Sequence, residues 1–68
     1  SLVNLGVVQR ERGRLAESEK TLRRALGIAE AKLEPTNRDA VSAREQLAFT
    51  LRHEGKETEA ASVERGHP

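Results

Sequence analysis

Between Asn4 and Glu17 the chain reads NLGVVQRERGRLAE, and this stretch decides the fold because a degraded copy of it returns downstream. Asn4-Leu5-Gly6 returns as Gln46-Leu47-Ala48, Gly13-Arg14 as Gly55-Lys56, and Glu17 as Glu59, each 42 residues later. Self-similarity at a fixed period of roughly 20 to 50 residues marks a solenoid, in which one supersecondary unit stacks on the next. A chain of this kind advertises the surface it makes more clearly than what binds there.

Working outward, the periodicity is helical throughout. Leu2, Leu5, Gly6 and Val8 stand three or four apart, with Val3 and Val7 as a second stripe beside them, so a first helix of about 2–12 has two apolar faces. Gly13 tolerates positive φ and ends it. A second helix over 15–33, expected to be the longest element, buries one stripe made of Leu15, Ser18, Leu22, Ala25, Leu26, Ala29 and Leu33. Pro35 forbids its continuation. Thr36 with Asp39 has capping-box spacing and Asn37 is an alternative N-cap, so a third helix over 38–53 starts there. Its packing face reads Ala40, Val41, Arg44, Leu47, Ala48 and Leu51, and Phe49 lies off that face. Gly55 closes the third helix as Gly13 closes the first, and a short fourth helix follows over 57–65. The fold class expected is all-α, two antiparallel helical hairpins over 1–34 and 35–65, the second truncated, with a disordered tail at 66–68.

Composition narrows the function classes. With 68 residues, 35% hydrophobic and a single aromatic, Phe49, the core is thin and the isolated chain marginal. Twelve basic against eleven acidic residues leave a formal charge of +1, without the strongly basic balance of a dedicated nucleic-acid binder. The absence of cysteine removes a disulfide framework, a thiolate metal site and a cysteine nucleophile together. No apolar run approaches the ~18 residues of a membrane span. No nucleic-acid or membrane partner is expected, and the expected setting is cytoplasmic.

The pattern Leu2-x-x-Leu5-Gly6-x-x-Gln9, then Gly13, then Ser18-x-x-x-Leu22 and Ala25 resembles the tetratricopeptide repeat signature. Leu2, Gln9 and Leu22 stand where that signature usually has large aromatics, and the second copy keeps Leu47, Ala48, Leu51, Gly55 and Ala60 while departing at Arg44 and Glu64. The 42-residue period is similar to the long-helix variant found in kinesin light chains and many bacterial repeat proteins. Arg24-Ala25-Leu26, Ile28-Ala29-Glu30, Leu33, Pro35, Asn37 and Asp39 have close counterparts in it. The resemblance implies a right-handed α-solenoid of one and a half to two repeats. It also implies a non-enzymatic module that binds a protein or peptide along a concave groove lined by the first helix of each hairpin.

Residues that suggest chemistry have plainer readings. His53 and His67 are 14 apart with no cysteine and no paired carboxylates beside them, so no metal or other cofactor is expected. Ser18 sits in the packing stripe with no neighbouring base and reads as a small core residue. Arg10, Arg12, Arg14, Lys20, Arg23 and Arg24 are interspersed with Glu11, Glu17 and Glu19, which describes a solvated face. Gly13-Arg14 and Gly55-Lys56 lack phosphate-loop spacing and read as turns.

In the register of the resemblance, the groove positions are Val3, Asn4, Val7, Arg10 and Glu11, then Glu45, Gln46, Phe49, Arg52 and His53. Asn4 and Gln46 are placed to hydrogen-bond an extended backbone, and Val7 and Phe49 fall on equivalent positions. Phe49 either faces a ligand or packs against a neighbouring helix. The first helix directs Leu2, Val3, Val7 and Val8 toward the side where a preceding repeat lies, and no polar cap is evident, so self-association is the alternative role expected.

Overall fold

The computed structural model describes residues 1–32 and 38–65. Four helices follow one another, α1 (Leu2–Glu11), α2 (Leu15–Glu30), α3 (Arg38–His53) and α4 (Glu57–Glu64), with no strand among the described residues. α1 pairs with α2 and α3 with α4, while α2 also packs along α3 and α1 meets α3 more lightly. The shortest dimension is 13 Å. Helix axes pack about 8–10 Å apart, so the slab is two helices deep, with α1 and α3 adjacent in one layer.

The turns explain why the period is legible. Gly13 and Gly55 have φ of +80° and +79°, the left-handed region in which a side chain is strained. Each sits one residue beyond the C-cap in a Schellman motif. Gly13 N–H donates to the Arg10 carbonyl and Arg14 N–H to that of Gln9, both at 2.9 Å. Gly55 N–H to Arg52 and Lys56 N–H to Leu51 repeat the pair at 3.0 and 2.8 Å. Arg14 and Lys56 then serve as N-caps of α2 and α4, their carbonyls accepting from Ser18 and Ala60 N–H. One residue therefore closes one helix and opens the next, which fixes the hairpin angle.

The core gathers Leu22 of α2, Leu47, Ala48 and Leu51 of α3, and Ala60 of α4, with Val3, Leu26 and Val63 packed against it. The α1–α2 crossing is closest at Gly6. A Cβ there would stand 2.5 Å from Leu22 Cγ and 2.6 Å from Leu22 Cδ2. Ser18 fills the same crossing, fully buried, and donates its hydroxyl to the Gly6 carbonyl at 2.7 Å. One repeat later the pair is Ala48 and Ala60, both buried, and Glu64 stands in place of Leu22.

Several expectations are corrected. α2 ends at Glu30, short of Leu33, and equals α3 at 16 residues. The Pro35-Thr36-Asn37 connector, Leu33 and the tail at 66–68 lie outside the described residues. Val41 is exposed, and the α3 packing face includes Ala43 and Thr50 instead, both fully buried. On α1, Val3 turns inward to the core, whereas Leu5 is half-exposed. The end face formed by α3 and α4 is also more polar than expected. Arg52 bridges Glu57 and Glu64 there, and Glu45 and Glu64 occupy the positions of Val3 and Leu22.

Candidate functional site

α1 and α3 lie side by side, and on their shared solvent face four of the residues expected to line a groove, Arg10, Gln46, Phe49 and His53, come together. The strongest link across it is Arg10, whose Nη1 donates to Gln46 Oε1 at 2.7 Å. That bond brings the Arg10 guanidinium over the Phe49 ring, 4.5 Å from its centroid, close enough for a cation–π contact. His53 stacks on Phe49 one helical turn on, with centroids 4.6 Å apart and planes tilted by 31°. Its Nδ1 lies 3.2 Å from the Phe49 carbonyl. Phe49 is thus held by a cation and an imidazole, yet 51% of it remains exposed.

Two buried hydroxyls lie beneath this cluster. Thr50 Oγ1 lies 3.0 Å from the Gln46 carbonyl and 3.2 Å from Ser18 Oγ; with the Ser18 proton given to Gly6, the single Thr50 proton serves one of these two acceptors. Ser18 and Thr50 are both fully buried, where α3 packs on the α1–α2 crossing one turn from Gln46. Sequence reasoning missed Thr50. The available signal was its place 42 residues after Val8, an apolar position that a hydroxyl can fill only where an acceptor waits.

The ten expected groove residues do not form one continuous site. Arg10, Gln46, Phe49 and His53 converge, and Val7 is half-buried in the same layer. Glu11 is exposed. Val3 and Asn4 lie at the other end of α1, where with Leu2, Ile28 and Lys32 they line a cavity of about 350 Å³. Glu45 turns toward Val41, Arg44 and Glu64 around a smaller cavity of about 280 Å³. Arg52 is engaged by α4. The hydrogen bond it donates to Glu64, then that to Glu57, holds its guanidinium above the ordinary arginine value, and Arg52 in turn lowers Glu64.

A second charged cluster ties the two hairpins together on the α2 side. Glu19 accepts from Arg23 Nε at 2.8 Å and from Lys56 Nζ at 3.1 Å. The Arg23 bond is the main reason that Glu19 falls to about 2. Burial, then the neighbouring Glu19 carboxylate, pushes Glu54 up.

Two stacked antiparallel helical hairpins, repeated at a fixed offset and joined by matching Schellman turns, define a helical repeat protein. The sequence model of the tetratricopeptide repeat family matches residues 1–65, and the chain belongs to that family. Neither a curated protein nor a solved structure matches it significantly. The family is a non-catalytic repeat module that generally mediates protein–protein interaction. No helix among the described residues is long and apolar enough to cross a membrane.

Proposed function

We propose that the chain binds a segment of a protein partner on the face shared by α1 and α3, centred on Phe49. The observation that carries this reading is the Arg10–Gln46–Phe49–His53 cluster, which spans both helices and leaves an anchored aromatic half open to solvent. An aromatic held rigid before binding loses little conformational freedom on contact, and aromatic and arginine side chains supply most binding hot spots. The Arg10 guanidinium uses one nitrogen on Gln46, and its fork carries further N–H donors for a carbonyl or carboxylate on the segment.

Selection of peptides from a random display library, followed by calorimetry on the selected sequences, tests the reading. Phe49→Ala retains the fold, because the ring lies outside the core, and weakens binding at least tenfold. Selected peptides that bind Phe49→Ala as tightly as the parent chain overturn it.

A further inference from the structure

The turn between α3 and α4 is tied to α2 by charged groups. Both oxygens of Glu19 on α2 are engaged, Oε2 by Arg23 Nε at 2.8 Å and Oε1 by Lys56 Nζ at 3.1 Å, and its side chain is only 17% exposed. Arg23 shares a helix with Glu19, whereas Lys56 opens α4, so the Lys56 bond crosses from one hairpin to the other. Glu54 enters the same cluster directly after the end of α3. Its Oε1 is buried with no hydrogen-bond partner among the described residues, yet its carboxyl lies within hydrogen-bond reach of the Glu19 carboxyl. The charged groups around Glu54 are Glu19 from α2, Lys56 from the turn and Glu59 from α4.

Two ionised carboxylates in contact have no donor between them, because a carboxylate only accepts. A single proton turns the same contact into a hydrogen bond. Its place follows from the neighbours. Two cationic donors favour the ionised form of Glu19, while a buried oxygen without a donor favours the neutral form of Glu54. The titration directions agree with that placement. Glu19 is held at about 2, chiefly by Arg23, and Glu54 is pushed up by burial and then by the Glu19 carboxylate.

We propose that Glu19 and Glu54 share one proton, and that this proton latches the second hairpin to the first, its loss loosening the α3–α4 turn from α2. With the proton in place the pair carries one negative charge beside the Arg23 and Lys56 cations. When Glu54 gives the proton to water, two adjacent carboxylates remain, with Glu59 as a third carboxyl facing Glu54. Glu54 is only part-buried and relieves the repulsion by turning outward. Glu54 and Lys56 flank Gly55 in one Schellman turn, so this movement also pulls on the Lys56 bond to Glu19.

The sign is fixed by the Glu54 carboxyl. Because its folded value is raised, the latch is fully closed below the ordinary 4.5 and opens as pH rises through that folded value. The setting of one hairpin against the other is therefore proton-dependent at this junction, independently of either histidine.

Two measurements on the folded chain test the sharing and the latch separately. Carbon-13 detection of the glutamate carboxyls should show Glu54 titrating above 4.5, and Glu19 giving a second, smaller step at the Glu54 midpoint. Glu19→Gln should move the Glu54 step downward. For the latch, the chain has no cysteine, so spin labels can be placed at Ala16→Cys and Thr58→Cys, exposed and equivalent positions of the two hairpins. The distance between the labels should lengthen by about 2 Å across the Glu54 step, the scale of a helix shift at a packed interface. It should stay constant in Glu54→Gln, whose amide is a permanent donor to Glu19. A Glu54 step that does not move in Glu19→Gln overturns the shared proton, burial alone then accounting for it. A label distance that stays constant while Glu54 titrates, or one that lengthens equally in Glu54→Gln, overturns the latch.

Discussion

Gly6→Ala separates two effects of opposite sign. Replacing a mid-helix glycine by alanine stabilises an exposed helix by about 0.8–1 kcal/mol. Here the added Cβ would lie 2.5 Å from Leu22 Cγ, 2.6 Å from Cδ2 and 3.2 Å from Cδ1. The clash involves the branch point of a fully buried side chain, which cannot swing into solvent. Overpacking of this kind costs about 1–3 kcal/mol, and separating the helices to relieve it lengthens the 2.7 Å bond from Ser18 to the Gly6 carbonyl, worth about 1 kcal/mol more. The net expectation is a loss of about 1–3 kcal/mol, read by urea denaturation followed by circular dichroism. The reverse change one repeat later, Ala48→Gly, loses about 1 kcal/mol from propensity alone. In a double-mutant cycle, Leu22→Ala should make Gly6→Ala less costly by about 1–3 kcal/mol, because the clashing atoms are gone. Stabilisation by the single Gly6→Ala change, as propensity alone would give, refutes the close crossing of α1 and α2.

Ser18→Leu should cost at least about 1–3 kcal/mol in the same melts, whereas Lys20→Ala on the exposed face of α2 should change stability by less than about 0.5 kcal/mol; equal effects would reverse the faces. Gly13→Ala and Gly55→Ala should each cost about 1–2 kcal/mol, since both demand φ near +80°, and two neutral results would contradict the Schellman turns. For pH, the signs of the two carboxyls oppose. Glu19, lowered to about 2 by Arg23, adds stability that is full above 4.5 and is lost as pH falls from 4.5 toward 2. Glu54, raised by burial and by Glu19, adds stability that is full below 4.5 and is lost as pH rises through its folded value. Thermal melts of the native chain should therefore show a maximum near the ordinary glutamate value, and Glu54→Gln should remove the decline on its alkaline side. A Glu54→Gln profile that keeps that decline would place its origin elsewhere.

The residues that betray the fold are those whose role is local. Gly13 and Gly55 end helices through backbone geometry that no neighbour can supply, so both were readable and both proved to be left-handed. Ser18 was readable as a small core residue because it fell at helical spacing among Leu22, Ala25 and Ala29. What periodicity cannot show is coverage. Leu5 and Leu47 occupy equivalent positions in equivalent patterns, yet one is half-exposed and the other fully buried, because burial depends on the helix packed beside them. Val41 fails for the same reason in reverse, being apolar and at the right spacing but facing no partner helix. Thr50 was missed because a hydroxyl was not expected on the packing face of α3, and Ala43 because that face was drawn through Val41 and Arg44 on either side of it. Register alone placed Arg10, Gln46, Phe49 and His53 among the expected partner-facing positions. Their mutual contacts did not follow from it, since these depend on side-chain conformations across two helices.

The measurement that bears most directly on the α1–α3 face is an amide chemical-shift map of the labelled chain titrated with a peptide selected for binding. Shifts should concentrate at Val7, Arg10, Gln46, Phe49 and His53, leave Lys20 and Arg24 on the outer side of α2 unmoved, and disappear in Phe49→Ala at the same peptide concentration. A map centred on the outer side of α2, or one that persists unchanged in Phe49→Ala, contradicts the assignment of the binding surface.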